Sequence, residues 1–223
     1  MTANANVETA LLIQKAAAAF QPIAGEPSPF VPSPGYPLSG QQVPLAGFAD
    51  EATLAEAVLR RLAPWFHIQR EVTGMHPTGR PCRIDAVLRP RDAHMWKNRQ
   101  VALGVEFKSW ESHVGNASRK DRIGWVAQSI DYSMADWNGY GRLPVFMCPD
   151  PFVRSRNPGE VPMDEVGEFI DGLLGQYNVG FLTLFNGVGL TLFLYGSNTI
   201  WSERHGVAHG KNWTLAPRSG HRR

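Results

Sequence analysis

The order of the predicted elements between residues 50 and 148 constrains the fold of this chain more than any other feature. An amphipathic helix over 50–63 is followed by three apolar strands, then by a second helix and a fourth strand. Three successive strands predict an antiparallel meander, whereas strand, helix, strand predicts a parallel crossover. We therefore predict an α/β fold with a mixed central sheet flanked by helices. The strands are predicted over 65–72, 83–88, 101–110 and 143–148, and the second helix over 118–137.

The N-terminal segment, residues 1–47, differs in composition from the rest of the chain. Residues 7–20 can form a short helix, whereas residues 21–47 hold seven prolines and four glycines. Such a composition predicts an extended arm rather than a packed element. The arm could lie on the surface of its own domain, or it could reach a second subunit or another protein partner.

The predicted domain covers residues 48–202. Near its end, the apolar strands of residues 179–195 flank the dipeptide Asn186-Gly187, which predicts a C-terminal hairpin. Residues 203–223 carry five Lys and Arg against one acid and are expected to form a poorly ordered basic tail.

Two charged residues interrupt the apolar strand VALGVEFKSW on one face. Glu106 and Lys108 share that face, because side chains alternate along a strand. In the preceding predicted strand, RIDAVL, Asp85 falls on the face opposite to Ile84 and Ala86. If the two strands pair with their charged faces aligned, Asp85 comes to lie beside Glu106.

Two carboxylates that meet on neighbouring strands predict a site for Mg²⁺, which prefers oxygen ligands. The backbone carbonyl of Phe107 could supply a further oxygen. A metal ion bound there can polarise a phosphate and lower the pKa of a bound water. Lys108 could orient the attacking water or neutralise negative charge, and both roles remain open.

This pattern resembles the PD-(D/E)XK nuclease superfamily. Besides Asp85 and Glu106-x-Lys108, the stretch GRPCRIDAVL resembles the Gly-Arg-x-Asp stretch of its RecB-type exonuclease branch. Gln128-Ser-Ile-Asp-Tyr132 resembles the Gln-x-x-x-Tyr motif of that branch, and its end residues share one helix face. The resemblance covers roughly residues 50–150. It implies a restriction-endonuclease-like core, hydrolysis of phosphodiester bonds with Mg²⁺ or Mn²⁺, and Gln128 and Tyr132 as helpers of the three catalytic residues.

The chain also departs from the superfamily pattern. Ile84 stands where the strict motif has proline before the aspartate. The acid that the first helix supplies in the family is not fixed by the sequence. Glu51 and Glu56 are both available, the spacing slightly favours Glu51, and Glu71 on the next strand is a third candidate.

Positive charge is concentrated around the candidate site. Residues 70–123 hold 11 Lys and Arg against 6 Asp and Glu. This distribution suits a polyanionic partner such as DNA, although a solvated surface explains it equally well. The predicted DNA-binding residues are Arg80, Arg83, Arg119 and Lys120.

Other features narrow the class of protein. No run of eighteen apolar residues exists, so neither a transmembrane helix nor a membrane partner is expected. The two cysteines cannot form a disulfide framework or a four-cysteine zinc site, which favours a cytoplasmic setting. The leading hypothesis is a metal-dependent deoxyribonuclease, and the sequence does not decide between exonuclease and endonuclease action. The alternative is an inactive module of the same fold that docks a partner through residues 1–47.

Overall fold

The computed structural model describes residues 42–43, 45, 47–109, 119–151, 172–195 and 199–207. In residues 119–122 it describes the backbone alone. The predicted N-terminal helix, most of the proline-rich arm and residues 208–223 therefore lie outside the described residues.

A single mixed sheet forms the body of the described protein. Its strands run in the order β10-β9-β8-β7-β6-β4-β3-β2-β5, and β1 pairs with β7 beside this path. Two helices accompany the sheet, α1 (Glu51–Leu62) and α2 (Arg119–Met134), with a short 3-10 helix over Ala93–Met95 and further helical residues at 172–176. The strands are β1 (Gln42–Val43), β2 (Phe66–Met75), β3 (Pro81–Pro90), β4 (Leu103–Phe107), β5 (Asp136–Trp137), β6 (Val145–Cys148), β7 (Val179–Phe185), β8 (Gly189–Leu194), β9 (Thr199–Ser202) and β10 (Gly206–Val207).

The strand directions agree with the sequence pattern. Strands β2, β3 and β4 form an antiparallel meander, and β4 pairs in parallel with β6 after the chain has passed through α2. Strands β7 and β8 form the antiparallel hairpin, with Asn186 and Gly187 in its turn. The predicted mixed sheet, its crossover and its hairpin are therefore confirmed. The sheet also extends past residue 202, because β10 pairs with β9.

Helix α1 is fixed by its cap and by its apolar face. The Asp50 carboxylate accepts a hydrogen bond from the Thr53 amide at 2.7 Å, as an N-cap residue does. Leu54, Val58 and Leu62 are fully buried against the sheet. Each such side chain contributes about 1.5–3 kcal/mol by leaving water. The cap and this face place the N-terminus of α1 beside the candidate site.

The hairpin of β2 and β3 changes face halfway along its length. Ile84 packs with Val87 and Val72 rather than with Ala86, so the prediction that Ile84 and Ala86 share a face is wrong. The change occurs where Glu71 has φ +54° and the regular pairing between the two strands is interrupted. A residue in this conformation shifts the alternation of side chains along the strand. Beyond this point, the side chains of both strands therefore point to the face opposite to the one that regular alternation predicts.

The second predicted helix is shorter than its apolar pattern suggested. It ends at Met134, and Trp137 lies in β5, where it pairs with Gly74 of β2. A Cβ atom at Gly74 would lie 2.6 Å from the Trp137 ring, so the missing side chain makes room for the indole. Trp137 is therefore buried beside β2 and lies beyond the end of the helix.

Candidate active site

The site lies where strands β3 and β4 separate. Their regular pairing ends at Ala86 and Val105, and in the same register Asp85 stands opposite Glu106. Beyond this point the Phe107 amide donates a 2.7 Å hydrogen bond to the Asp85 carboxylate. The Asp85 carboxylate thus accepts a hydrogen bond from the β4 backbone where the pairing of the two strands stops. This bond fixes the carboxylate relative to β4.

Glu106 is the most buried acid of the site, with 3% of its surface exposed. Its Oε1 atom accepts hydrogen bonds from Lys108 Nζ at 3.0 Å and from Gln128 Nε2 at 2.8 Å. Its Oε2 atom is buried and has no hydrogen-bond partner among the described residues. A buried polar atom without a partner is costly, so this oxygen is suited to a ligand that the polypeptide does not supply.

Burial raises the pKa of both carboxyl groups of the site. Burial, followed by the nearby Asp85, raises the pKa of Glu106 from 4.5 to about 7, against the opposing effect of Lys108. Burial also raises the pKa of Asp85, although the Phe107 amide and Lys108 oppose the shift. A cation placed between the two groups would favour their ionised forms.

Lys108 lies between acids from two elements. Its Nζ atom is 3.0 Å from Glu106 Oε1 and 3.7 Å from Glu51 Oε1. Burial alone lowers the pKa of Lys108, but Glu106, Glu51 and Asp85 together raise it above its ordinary value. The ammonium group therefore stays charged at neutral pH, and it can offer positive charge to an anionic ligand.

The structure distinguishes the three candidate outer acids. Glu51 begins α1 and is the helix acid that approaches Lys108. Glu56 points elsewhere and forms a 2.8 Å ion pair with Arg70. Glu71 lies on β2 and raises the pKa of Asp85 through its charge, while its own carboxylate pairs with Arg83 at 2.7 Å.

Helix α2 brings Gln128 and Tyr132 to the site, one helical turn apart. The Gln128 amide donates to Glu106 and also to the Tyr132 hydroxyl at 2.9 Å. The hydroxyl proton of Tyr132 therefore remains free to be donated to another acceptor. The Trp137 ring meets Tyr132 edge-on at 5.4 Å, and its indole N–H donates to the Tyr132 carbonyl at 3.1 Å. The sequence pattern does not predict this support, because it places Trp137 on the helix itself.

The four cations predicted to bind DNA have different surroundings. Arg80 forms an ion pair with Asp131, and Arg83 pairs with Glu71. Arg119 and Lys120 begin α2, but their side chains lie outside the described part of the structure. The two arginines are thus already paired with acids of this chain. Neither acid partner was foreseen, because both contacts join residues that are distant in sequence.

The donor set suits Mg²⁺ or Mn²⁺. Among the described residues, no group of three or more His, Cys, Asp and Glu side chains is arranged to hold a metal. Asp85 and Glu106 supply two carboxylates, and Mg²⁺ commonly binds one or two carboxylates while it keeps several waters. The buried, unpartnered Oε2 of Glu106 fits such an ion. Phe107 adjoins Glu106 on β4, and its carbonyl remains a candidate ligand, whereas its amide is used by Asp85.

Comparison with family models, curated proteins and solved structures finds no match to this chain. In the described part of the chain, no helix is both long and apolar enough to cross a membrane.

Proposed function

We propose that this chain is a Mg²⁺- or Mn²⁺-dependent deoxyribonuclease of the PD-(D/E)XK type. The observation that carries the proposal is the buried Oε2 atom of Glu106, which has no hydrogen-bond partner among the described residues. It lies in a site that also holds the Asp85 carboxylate and the Lys108 ammonium. A restriction-endonuclease-like core belongs to the same proposal, as does a reducing, cytoplasmic setting that suits the two buried free cysteines.

Asp85 and Glu106 would hold the ion, with the Phe107 carbonyl as a further ligand. When bound, Mg²⁺ polarises a phosphate oxygen and lowers the pKa of a coordinated water. Gln128 keeps Oε1 of Glu106 occupied through its 2.8 Å hydrogen bond, which leaves Oε2 as the available oxygen. Glu51 balances part of the Lys108 charge and so keeps the ammonium near Glu106.

In the proposed reaction, a water oxygen bonds to phosphorus while the ester P–O bond breaks. One proton of the water is released to solvent, and the leaving alkoxide takes up a proton to become an alcohol. Lys108 stabilises the negative charge that develops on the phosphate, because its ammonium is fixed and partly shielded from water. The Tyr132 hydroxyl can donate its proton to the same phosphate or to the water.

A cleavage assay tests the proposal directly. Supercoiled plasmid, linear duplex and single-stranded DNA are incubated with the full chain in Mg²⁺, in Mn²⁺ and in EDTA. We expect cutting that requires the metal and that falls at least about 100-fold in Asp85→Asn, Glu106→Gln and Lys108→Met, since each removes a group that acts on the transition state. Glu56→Gln is the matched control, because it removes an α1 carboxylate that pairs with Arg70 away from the site.

Two results would contradict the proposal. One is the absence of metal-dependent cutting on every substrate. The other is DNA binding without cutting that Glu106→Gln leaves unchanged, which would favour a non-catalytic module of the same fold.

A further inference from the structure

The end of β3 and the connection from β3 to β4 form a strongly basic part of the surface. It carries Arg89, Arg91, Lys97 and Arg99 against a single acid, Asp92, and all five residues are exposed. We call these four cations the basic rim. The acid is engaged locally, since its carboxylate accepts a hydrogen bond from a backbone amide of the 3-10 helix at 3.0 Å. The rim therefore has a net positive charge.

The arginines of the basic rim form no ion pair with an acid among the described residues. Arg89 and Arg99 form no ion pair with any described residue, and the Arg91 guanidinium donates a hydrogen bond to the Ala63 carbonyl at 2.8 Å. Guanidinium groups without an internal acid remain available for an external anion, and their shape matches a phosphate. Arginines that are paired with acids of this chain are Arg60, Arg61, Arg70, Arg80 and Arg83.

Arg89, the rim residue on β3, lies on the same face of the sheet as Glu106. Val87 and Gly104 stand opposite each other in the β3 and β4 register, so their side-chain positions share a face. Arg89 follows Val87 by two residues, and Glu106 follows Gly104 by two residues, so both keep that face. Because the strands are antiparallel, the two residues lie in opposite directions from the pair, which puts them four residues apart along the sheet, or about 14 Å at roughly 3.4 Å a residue.

We propose that the basic rim binds the phosphates of a DNA strand that extends from the candidate active site. This separation spans only a few phosphates of a DNA strand, so the contacted phosphates lie close to the cleaved bond. The inference rests on the proposed function for its choice of partner. It moves the contacts to the DNA backbone from Arg80 and Arg83, which are paired with acids, to Arg89 and Arg99.

The test is the salt dependence of DNA binding. The full chain and its Arg89→Gln/Arg99→Gln variant bind a labelled duplex of about 20 base pairs in EDTA, where the proposed reaction cannot run. Each phosphate contact adds about 0.9 to the slope of log K against log salt, so we expect the slope to fall by about 2 in the variant. Arg204→Gln is the matched control, since it removes an exposed arginine on the turn between β9 and β10. Its slope is expected to equal that of the parent chain.

An unchanged slope in the double variant, with its circular dichroism spectrum intact, would overturn the inference even if the parent chain cuts DNA. Absence of DNA binding by the parent chain would overturn it as well. If the slope falls but no metal-dependent cutting is found, the basic rim stands and the proposed reaction fails, so the two failures can be told apart.

Discussion

Replacing Glu106 with glutamine should stabilise the protein in the absence of metal. The neutral amide keeps an oxygen for Lys108 and Gln128 and gains an N–H group that can face Asp85. The magnitude follows from the pKa of Glu106, which rises from 4.5 to about 7 on folding. At 1.36 kcal/mol for each pKa unit, ionised Glu106 costs the folded state about 3 kcal/mol.

The size of this effect depends on pH in a defined direction. Between pH 4.5 and about 7, folded Glu106 holds a proton that the unfolded chain has lost. The stability of the parent chain therefore falls as pH rises through this window and stays lower above it. The glutamine variant has no such proton. Its advantage should be small near pH 4.5 and should reach about 3 kcal/mol near pH 8.

The assay is urea unfolding in EDTA at the two pH values, on the parent chain and the Glu106→Gln variant. Glu56→Gln provides the control, because its exposed ion pairs with Arg60 and Arg70 contribute less than about 1 kcal/mol. A glutamine variant that is no more stable than the parent chain at pH 8 would refute the reasoning. The same would follow from a gain of equal size at both pH values.

Three further outcomes are expected. At limiting Mg²⁺, the rate of cleavage should increase as pH rises through about 7, because protonated Glu106 cannot bind the ion. A higher Mg²⁺ concentration should move this increase to lower pH. A pH profile that does not change with the Mg²⁺ concentration would argue against this. Gln128→Ala should lower kcat by about 10-fold or more, since a hydrogen bond to a charged group contributes about 1.5–3 kcal/mol, and an unchanged kcat would remove the residue from the site. Gly180→Ala should destabilise the fold by about 1–3 kcal/mol, because the added methyl group would collide with the β8 backbone. Gly124→Ala should stabilise the fold by up to about 1 kcal/mol, because a methyl group at this position of α2 meets open space. Unfolding curves of the two variants that shift in the same direction would contradict this.

The sequence was most informative where a pattern repeats locally. Alternation along one strand placed Glu106 and Lys108 together, and the structure joins them by a 3.0 Å contact. Helical spacing placed Gln128 and Tyr132 on one face, and a shared amide links them. Both relations depend only on the geometry of a single element, which the residue order determines.

The sequence was least informative where distant residues set the local conformation. Glu71 takes φ +54°, which a non-glycine residue rarely adopts, and this conformation moves Ile84 to the other face of the hairpin. The pairing of Arg80 with Asp131 likewise joins parts of the chain that only the fold brings together. The periodicity of the sequence contains no information on the Glu71 conformation or on the Arg80–Asp131 pair. A count of basic residues therefore could not distinguish arginines that pair with acids from arginines that do not.

Asp85 and Glu106 are proposed to hold one divalent ion together. A crystal of the full chain soaked in Mn²⁺, with anomalous scattering recorded at the manganese edge, measures this most directly. We predict one strong peak between the two carboxylates, with oxygen ligands at about 2.0–2.2 Å that include Oε2 of Glu106. A peak at another site, or no peak between these carboxylates at saturating Mn²⁺, would contradict the claim.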